Sequence, residues 1–243
     1  MKQLNYHIVN PVVLGNSQKG QDSIIQYTLS NFGTTNKYYI EFGAMDGYML
    51  SNTSYLRENQ GWTGLLLEGN HQDFAFVDNP SINLHIEKIT RENICELFKK
   101  YGAPNDPDFL CIDMDGIDYH IMKSILEGGY RPRTLMIECN VRFEPDESYV
   151  LKYDTEWDWD GADWYGVSPM ALKKLFNEYD YVPVWIHIDD MVVVRRDVLE
   201  ESGFEEPSWD YVYPKSNVPL YNTHYSKSRK FVSELDLEKW EKV

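Results

Sequence analysis

The chain has 243 residues, a length that holds one large α/β domain with insertions and buries a substantial core. Its formal net charge of −16 repels phosphate backbones over most of the surface, which argues against nucleic acid as a partner. Aromatic residues make up 14% of the chain, a share that suits both large core side chains and pockets for ring-shaped ligands. Cys95, Cys111 and Cys139 form no CxxC pair and lie in apolar segments, so they read as reduced core residues of a cytoplasmic protein. The first residues, MKQLNYHIVNPVVLGNSQKGQ, contain no long apolar stretch of the signal-peptide kind. No run approaches the roughly 18 apolar residues of a membrane span.

Helical spacing runs through 21–31, and KYYIEF (37–42) follows as a short apolar strand that ends in a glycine loop. A helix over about 51–60 stops at Gly61, and TGLLLEGN (63–70) is a second buried strand. INLHIE (82–87) is a third strand candidate, RENICELFKKYG (91–102) a helix, and DFLCIDMDG (108–116) a fourth strand. DYHIMKSILEGG (118–129) is helical, and RTLMIECN (133–140) is a fifth strand. Residues 141–167 are polar, acidic and aromatic without clear period, an insertion whose tryptophans argue against disorder. Its stretch 144–164 suits a lid over an acceptor, because aromatic faces fit sugar rings and carboxylates accept from hydroxyls. A helix resumes over 168–180, with Ser168 as its N-cap and Pro169 in its first turn. YVPVWIHI, Asp189-Asp190 and MVVVRRD then form a hairpin, while the tail, 200–243, is polar and has no readable structure.

Alternating strands and helices predict a single α/β domain over 1–243, with a core of about 21–200 and a mostly parallel, Rossmann-like sheet. Five parallel strands followed by an antiparallel hairpin is the order of class I methyltransferase domains. Ligands of such sheets bind at the carboxyl ends of the strands, which puts weight on the loop after the first strand. It reads EFGAMDG, with Glu41, Gly43, Asp46 and Gly47. A pyrophosphate site wants G-x-G-x-x-G, and an acid inside the loop would repel phosphate. A cationic ligand reverses that argument. S-adenosylmethionine carries a sulfonium and an ammonium and no phosphate, so the loop acids favour it. Gly43 and Gly47 would let the backbone close over its methionine part, and Glu68, at the end of the second strand, would accept the hydroxyls of an adenosine ribose. The plainer alternative is that Glu41 and Asp46 satisfy loop amides.

Residues 38–70, YYIEFGAMDGYMLSNTSYLRENQGWTGLLLEGN, resemble the FkbM-type methyltransferases, with their E-x-G-x-x-D-G loop, S-N-T step and G-W-x-G-L-x-x-E strand. Residues 108–140 are similar to the family's second block, a D-x-D-G-x-D turn followed by an R-P and an I-E-x-N strand. The resemblance covers roughly 35–200. It implies an adenosylmethionine-dependent O-methyltransferase acting on a sugar or nucleotide-sugar hydroxyl, in surface glycan, capsule or secondary-metabolite biosynthesis. It also places Ala44, Ser51, Asn52, Thr53 and Asp113 with the loop acids at the cofactor. The hairpin departs from the family, reading HIDD where an N-A pair is common.

Methyl transfer needs an acceptor oxygen held about 3 Å from the methyl group, and a base or a cation that makes a hydroxyl nucleophilic. Asp113 and Asp115 after the fourth strand, Glu138 at the end of the fifth, His120 in the following helix and His187 in the hairpin are the candidates. Asp113, Glu138 and Asn140 offer oxygens of the kind that Mg²⁺ or another divalent cation takes. D-x-D-G is equally a turn signal, Asp118 suits a helix cap, and a strand histidine is often a packing residue. A nicotinamide-dependent oxidoreductase, which lacks its glycine motif here, and a non-catalytic Rossmann-like binding protein are the competing readings. The oligomeric state stays open, a homodimer included.

Overall fold

The computed structural model describes residues 2–69, 75–156, 165–214 and 238–243. In chain order, helix α1 (Gln21–Phe32) precedes strand β1 (Tyr38–Phe42), α2 (Ser54–Gln60), β2 (Thr63–Glu68) and β3 (Leu84–Ile86). Helix α3 (Ile94–Lys100), β4 (Phe109–Ile112), α4 (Asp118–Glu127) and β5 (Thr134–Glu138) follow. The remaining elements are β6 (Tyr149–Leu151), α5 (Pro169–Glu178), β7 (Tyr181–His187), β8 (Asp190–Arg195), α6 (Arg196–Glu201), α7 (Trp209–Val212) and β9 (Trp240–Lys242).

Seven strands form one sheet in the order β3-β2-β1-β4-β5-β8-β7. Strands β1 to β5 pair in parallel, and β8 runs antiparallel between β5 and β7. This is the doubly wound α/β fold expected, with the strand order of class I methyltransferase domains. The period-2 alternation of strand side chains splits the core in two. Ile40, Phe42, Leu65, Leu67, Leu110 and Ile112 pack on one face with Ile121 and Ile125 of α4 and Leu172 and Phe176 of α5. Tyr39, Leu66, Cys111 and Met136 face the other way, against Ile24 and Ile25 of α1 and Leu56 of α2. Because both faces are covered, the strands read as nearly unbroken apolar runs. All three cysteine thiols are free, and Cys111 and Cys139 are buried. No helix among the described residues is long and apolar enough to cross a membrane.

Helix α5 starts as its sequence predicts. Ser168 Oγ accepts from the Ala171 amide at 3.2 Å, and Pro169 occupies the first turn. The insertion holds more structure than its composition suggests. Strand β6 pairs antiparallel with β9, and Phe143, Leu151 and Trp240 form a small cluster beside them. Residues 157–164 of the expected lid, and 215–237 of the tail, lie outside the described residues.

Candidate cofactor and acceptor site

The strand order reverses between β1 and β4, so the crevice of the sheet opens at their carboxyl ends. Five acids end or follow strands there: Glu41 in β1, Glu68 in β2, Asp113 and Asp115 beyond β4, and Glu138 in β5. The β7–β8 turn adds Asp189 and Asp190, with Glu138 opposite Asp190 in the ladder.

Glu41 is buried, and both of its oxygens are engaged. Oε1 accepts from the Asn52 amide at 2.7 Å, and Oε2 accepts from Ser51 Oγ at 2.8 Å and from Thr53 Oγ1 at 2.5 Å. The S-N-T triplet is therefore a clasp on Glu41 that fixes the entry to α2. Burial pushes the Glu41 carboxyl up, and the hydrogen bonds from Thr53, Ser51 and Asn52 oppose that. Asn52 points its Nδ2 at Cys111 Sγ, 3.4 Å away, which places its amide beside β4.

The glycines of the loop owe their identity to neighbouring protein atoms. A Cβ on Gly43, at φ +67°, would lie 1.9 Å from the Asp113 carbonyl oxygen. One on Gly47, at φ +82°, would lie 2.4 Å from Ile82 Cδ1. Gly43 thus lets the β1 loop and the β4 loop meet backbone to backbone, and the glycine loop touches the acid loop directly. Protein atoms alone close both positions to a side chain. Asp46 is exposed, and its Oδ1 accepts from the Tyr48 and Met49 amides at 2.9 and 2.6 Å, the role of a turn-forming aspartate. Ala44 is buried, and its amide reaches the Leu67 carbonyl. Glu68 Oε2 accepts from the Met45 amide at 2.7 Å, tying the end of β2 to the loop.

Arg57, which no motif marks, anchors this loop from α2. It donates from Nη2 to the Gly47 carbonyl at 2.7 Å, reaches Tyr39 Oη at 3.3 Å and lies over the Tyr48 ring.

Asp113, Asp115 and Glu138 converge. Each offers a carboxylate oxygen within 4.8 Å of the others, with Glu138 buried and the two aspartates half-buried. The loop that carries the aspartates is held by Asp118, which accepts from the Met114 and Gly116 amides at 2.9 Å each. Burial drives the Asp113 carboxyl well above its usual range, and the charges of Asp115 and Asp190 add to this. Glu138 is raised for the same reason, with Asp113 and Asp115 as the strongest neighbouring charges. Asp190 is pushed up to about 7 by burial and by Asp189, while Lys19 and Gln21 oppose the shift.

Three expected site residues have other partners. Asn140 is held within its own loop: its Nδ2 donates to the Tyr165 carbonyl and its Oδ1 accepts from the Arg142 amide. His120 Nε2 lies 2.7 Å from the Leu151 carbonyl, and burial lowers its pKa, so the neutral ring braces β6 onto α4. His187 Nε2 lies 2.9 Å from the Lys19 carbonyl. That contact, with the Lys19–Asp189 ion pair at 2.9 Å and the Gln21 Nε2 bond to Asp190, straps the segment before α1 across the hairpin turn. The partners are about 170 residues apart, and no local signal announces them.

No protein-family model matches the chain, and no curated protein matches it. Among solved structures the chain is similar to the CurJ carbon methyltransferase, at a TM-score of 0.38 and 12% identity over 71% of this chain and 52% of that one. It is also similar to the CMeT domain of the citrinin polyketide synthase, at 0.36 and 11% over 73% and 51%. The chain spans about half the length of each, and both are loose likenesses of fold.

Proposed function

We propose that this protein is an S-adenosylmethionine-dependent O-methyltransferase whose acceptor is a hydroxyl of a sugar or nucleotide-sugar in cytoplasmic glycan or secondary-metabolite synthesis. One observation carries the reading: acids lie at or just beyond the carboxyl ends of β1, β2, β4 and β5, beside the β1/β4 reversal. Such a set of acids favours a ligand with positive charge and opposes one that brings a pyrophosphate. The basic groups nearby are engaged, Lys19 with Asp189 and Arg142 over the ring of Tyr165. The FkbM-like blocks support the same reading, because residues 38–69 and 108–140 carry these strand ends and the loops that follow them.

Adenosylmethionine, when bound, supplies a methyl group on a positively charged sulfur. The chain's own part is to hold and orient. Glu68, at the tip of β2, stands where an adenosine ribose is held in open α/β sheets. Glu41 and Arg57 fix the glycine loop from two sides. Asp113, Asp115 and Glu138 gather at the ends of β4 and β5; on this reading a carboxylate there accepts a hydrogen bond from the acceptor hydroxyl and aims its oxygen.

Release of adenosylhomocysteine from adenosylmethionine, measured across a panel of free sugars and nucleotide-sugars, tests this reading. Product with at least one acceptor, lost in Asp113→Asn, supports it. Reduction of a nicotinamide cofactor by the same panel, with no adenosylhomocysteine formed, would replace it.

A further inference from the structure

We propose that the carboxylates of Asp113, Asp115 and Glu138 bind one divalent cation, of the oxygen-seeking kind represented by Mg²⁺ and Mn²⁺, at the carboxyl ends of β4 and β5. One oxygen from each lies within 4.8 Å of the others. Oxygens bound at about 2.1 Å for Mg²⁺ and up to about 2.6 Å for Ca²⁺ stand up to roughly 4–5 Å apart across the ion, so the trio lies within reach of a single coordination sphere.

A second observation separates this cluster from an ordinary acidic patch. Glu138 is only 7% exposed, and its Oε2 is buried with no hydrogen-bond partner among the described residues. A buried carboxylate oxygen without a donor carries its full desolvation cost, which a coordinated cation offsets. The frame around the trio is set by other groups. Asp118 closes the β4 loop, the Asp113 carbonyl rests against Gly43, and the β5–β8 ladder fixes Glu138. The ligands are therefore presented by a rigid support, and binding does not require the backbone to rearrange. Two half-buried aspartates leave the cation open on one side for water and for an acceptor oxygen. That role, unlike the binding itself, rests on the methyltransferase reading.

The test is a titration of the full chain with Mn²⁺, with no cofactor present, followed by the paramagnetic signal of free Mn²⁺ and by calorimetry. One saturable site is expected, weakened at least ~10-fold in Glu138→Gln and in Asp115→Asn, which remove one ligand charge each. Melting curves of both variants check that they fold. Asp115 sits on a half-buried loop, so its variant keeps the test sharp if Glu138→Gln does not fold. Absence of a saturable site in the wild type, or equal affinity in wild type and both variants, overturns the proposal. Mn²⁺ binding in a protein that does not bind adenosylmethionine leaves the cation site standing and removes only its role in methyl transfer.

Discussion

Glu41 shows how a single residue serves both the fold and the site. It is the penultimate residue of β1, is 2% exposed, and gathers three donors from the next loop. Glu41→Ala would strand the Asn52 amide and two buried hydroxyls, at about 1–3 kcal/mol for each group left unsatisfied. Denaturant unfolding should show a loss of several kcal/mol, with Glu41→Gln, which keeps one acceptor oxygen, falling between the variant and wild type. His120 gives a pH signature. Its ordinary value is 6.5 and burial lowers it, so the unfolded chain takes up a proton there before the folded one does. Its contribution to stability is complete above pH 6.5 and is lost as pH falls below that value. A His120→Gln variant should flatten the stability–pH curve on the acid side of 6.5. Unchanged curvature would show that burial does not hold the ring neutral in the folded chain.

Among elements, the glycine loop and the β4 loop act as one unit. Gly43→Ala combines a positive φ, worth about 1–2 kcal/mol, with a Cβ driven into the Asp113 carbonyl. Melting should fall by at least ~4 °C, at about 2–4 °C per kcal/mol for a domain of this size. Displacement of Asp113 should also weaken Mn²⁺ binding, although residue 43 offers no ligand atom. Helix α5 and strand β6 share Ser168, whose Oγ accepts from both the Ala171 and Tyr149 amides. Ser168→Ala should cost ~1–2 kcal/mol, and hydrogen exchange should rise at Tyr149 as well as in the first turn of α5. Exchange confined to α5 would uncouple the two elements.

At the scale of the whole molecule, what could be read from the residues depended on how local its cause was. Strands and helices from α1 to β5, the N-cap at Ser168 and the β7–β8 hairpin follow from apolar period and turn chemistry, which act over a few residues. Strand β6 did not show, because its partner β9 lies some 90 positions on and neither segment has a pattern of its own. The same holds at the site. Acids at strand ends were visible as motifs, and so was their neighbourhood. Their division of labour was visible only in part: that Glu41 and Asp46 hold loop amides stood there as the plainer alternative, but the turn of Asn140 to Tyr165 and the grouping of Asp113, Asp115 and Glu138 depend on tertiary contact. Arg57 and the Lys19–Gln21 strap came from tertiary contact alone.

The account turns on the charge of the crevice at the β1/β4 reversal, and calorimetry on the purified chain tests it most directly. Adenosylmethionine should bind at one site per chain, and Glu68→Ala should weaken it about 10–100-fold, the loss expected for hydrogen bonds to a charged group. NADH, which brings a pyrophosphate, should give no heat of binding at the same concentrations. Binding of NADH without adenosylmethionine, or adenosylmethionine affinity unchanged by Glu68→Ala, would contradict the account.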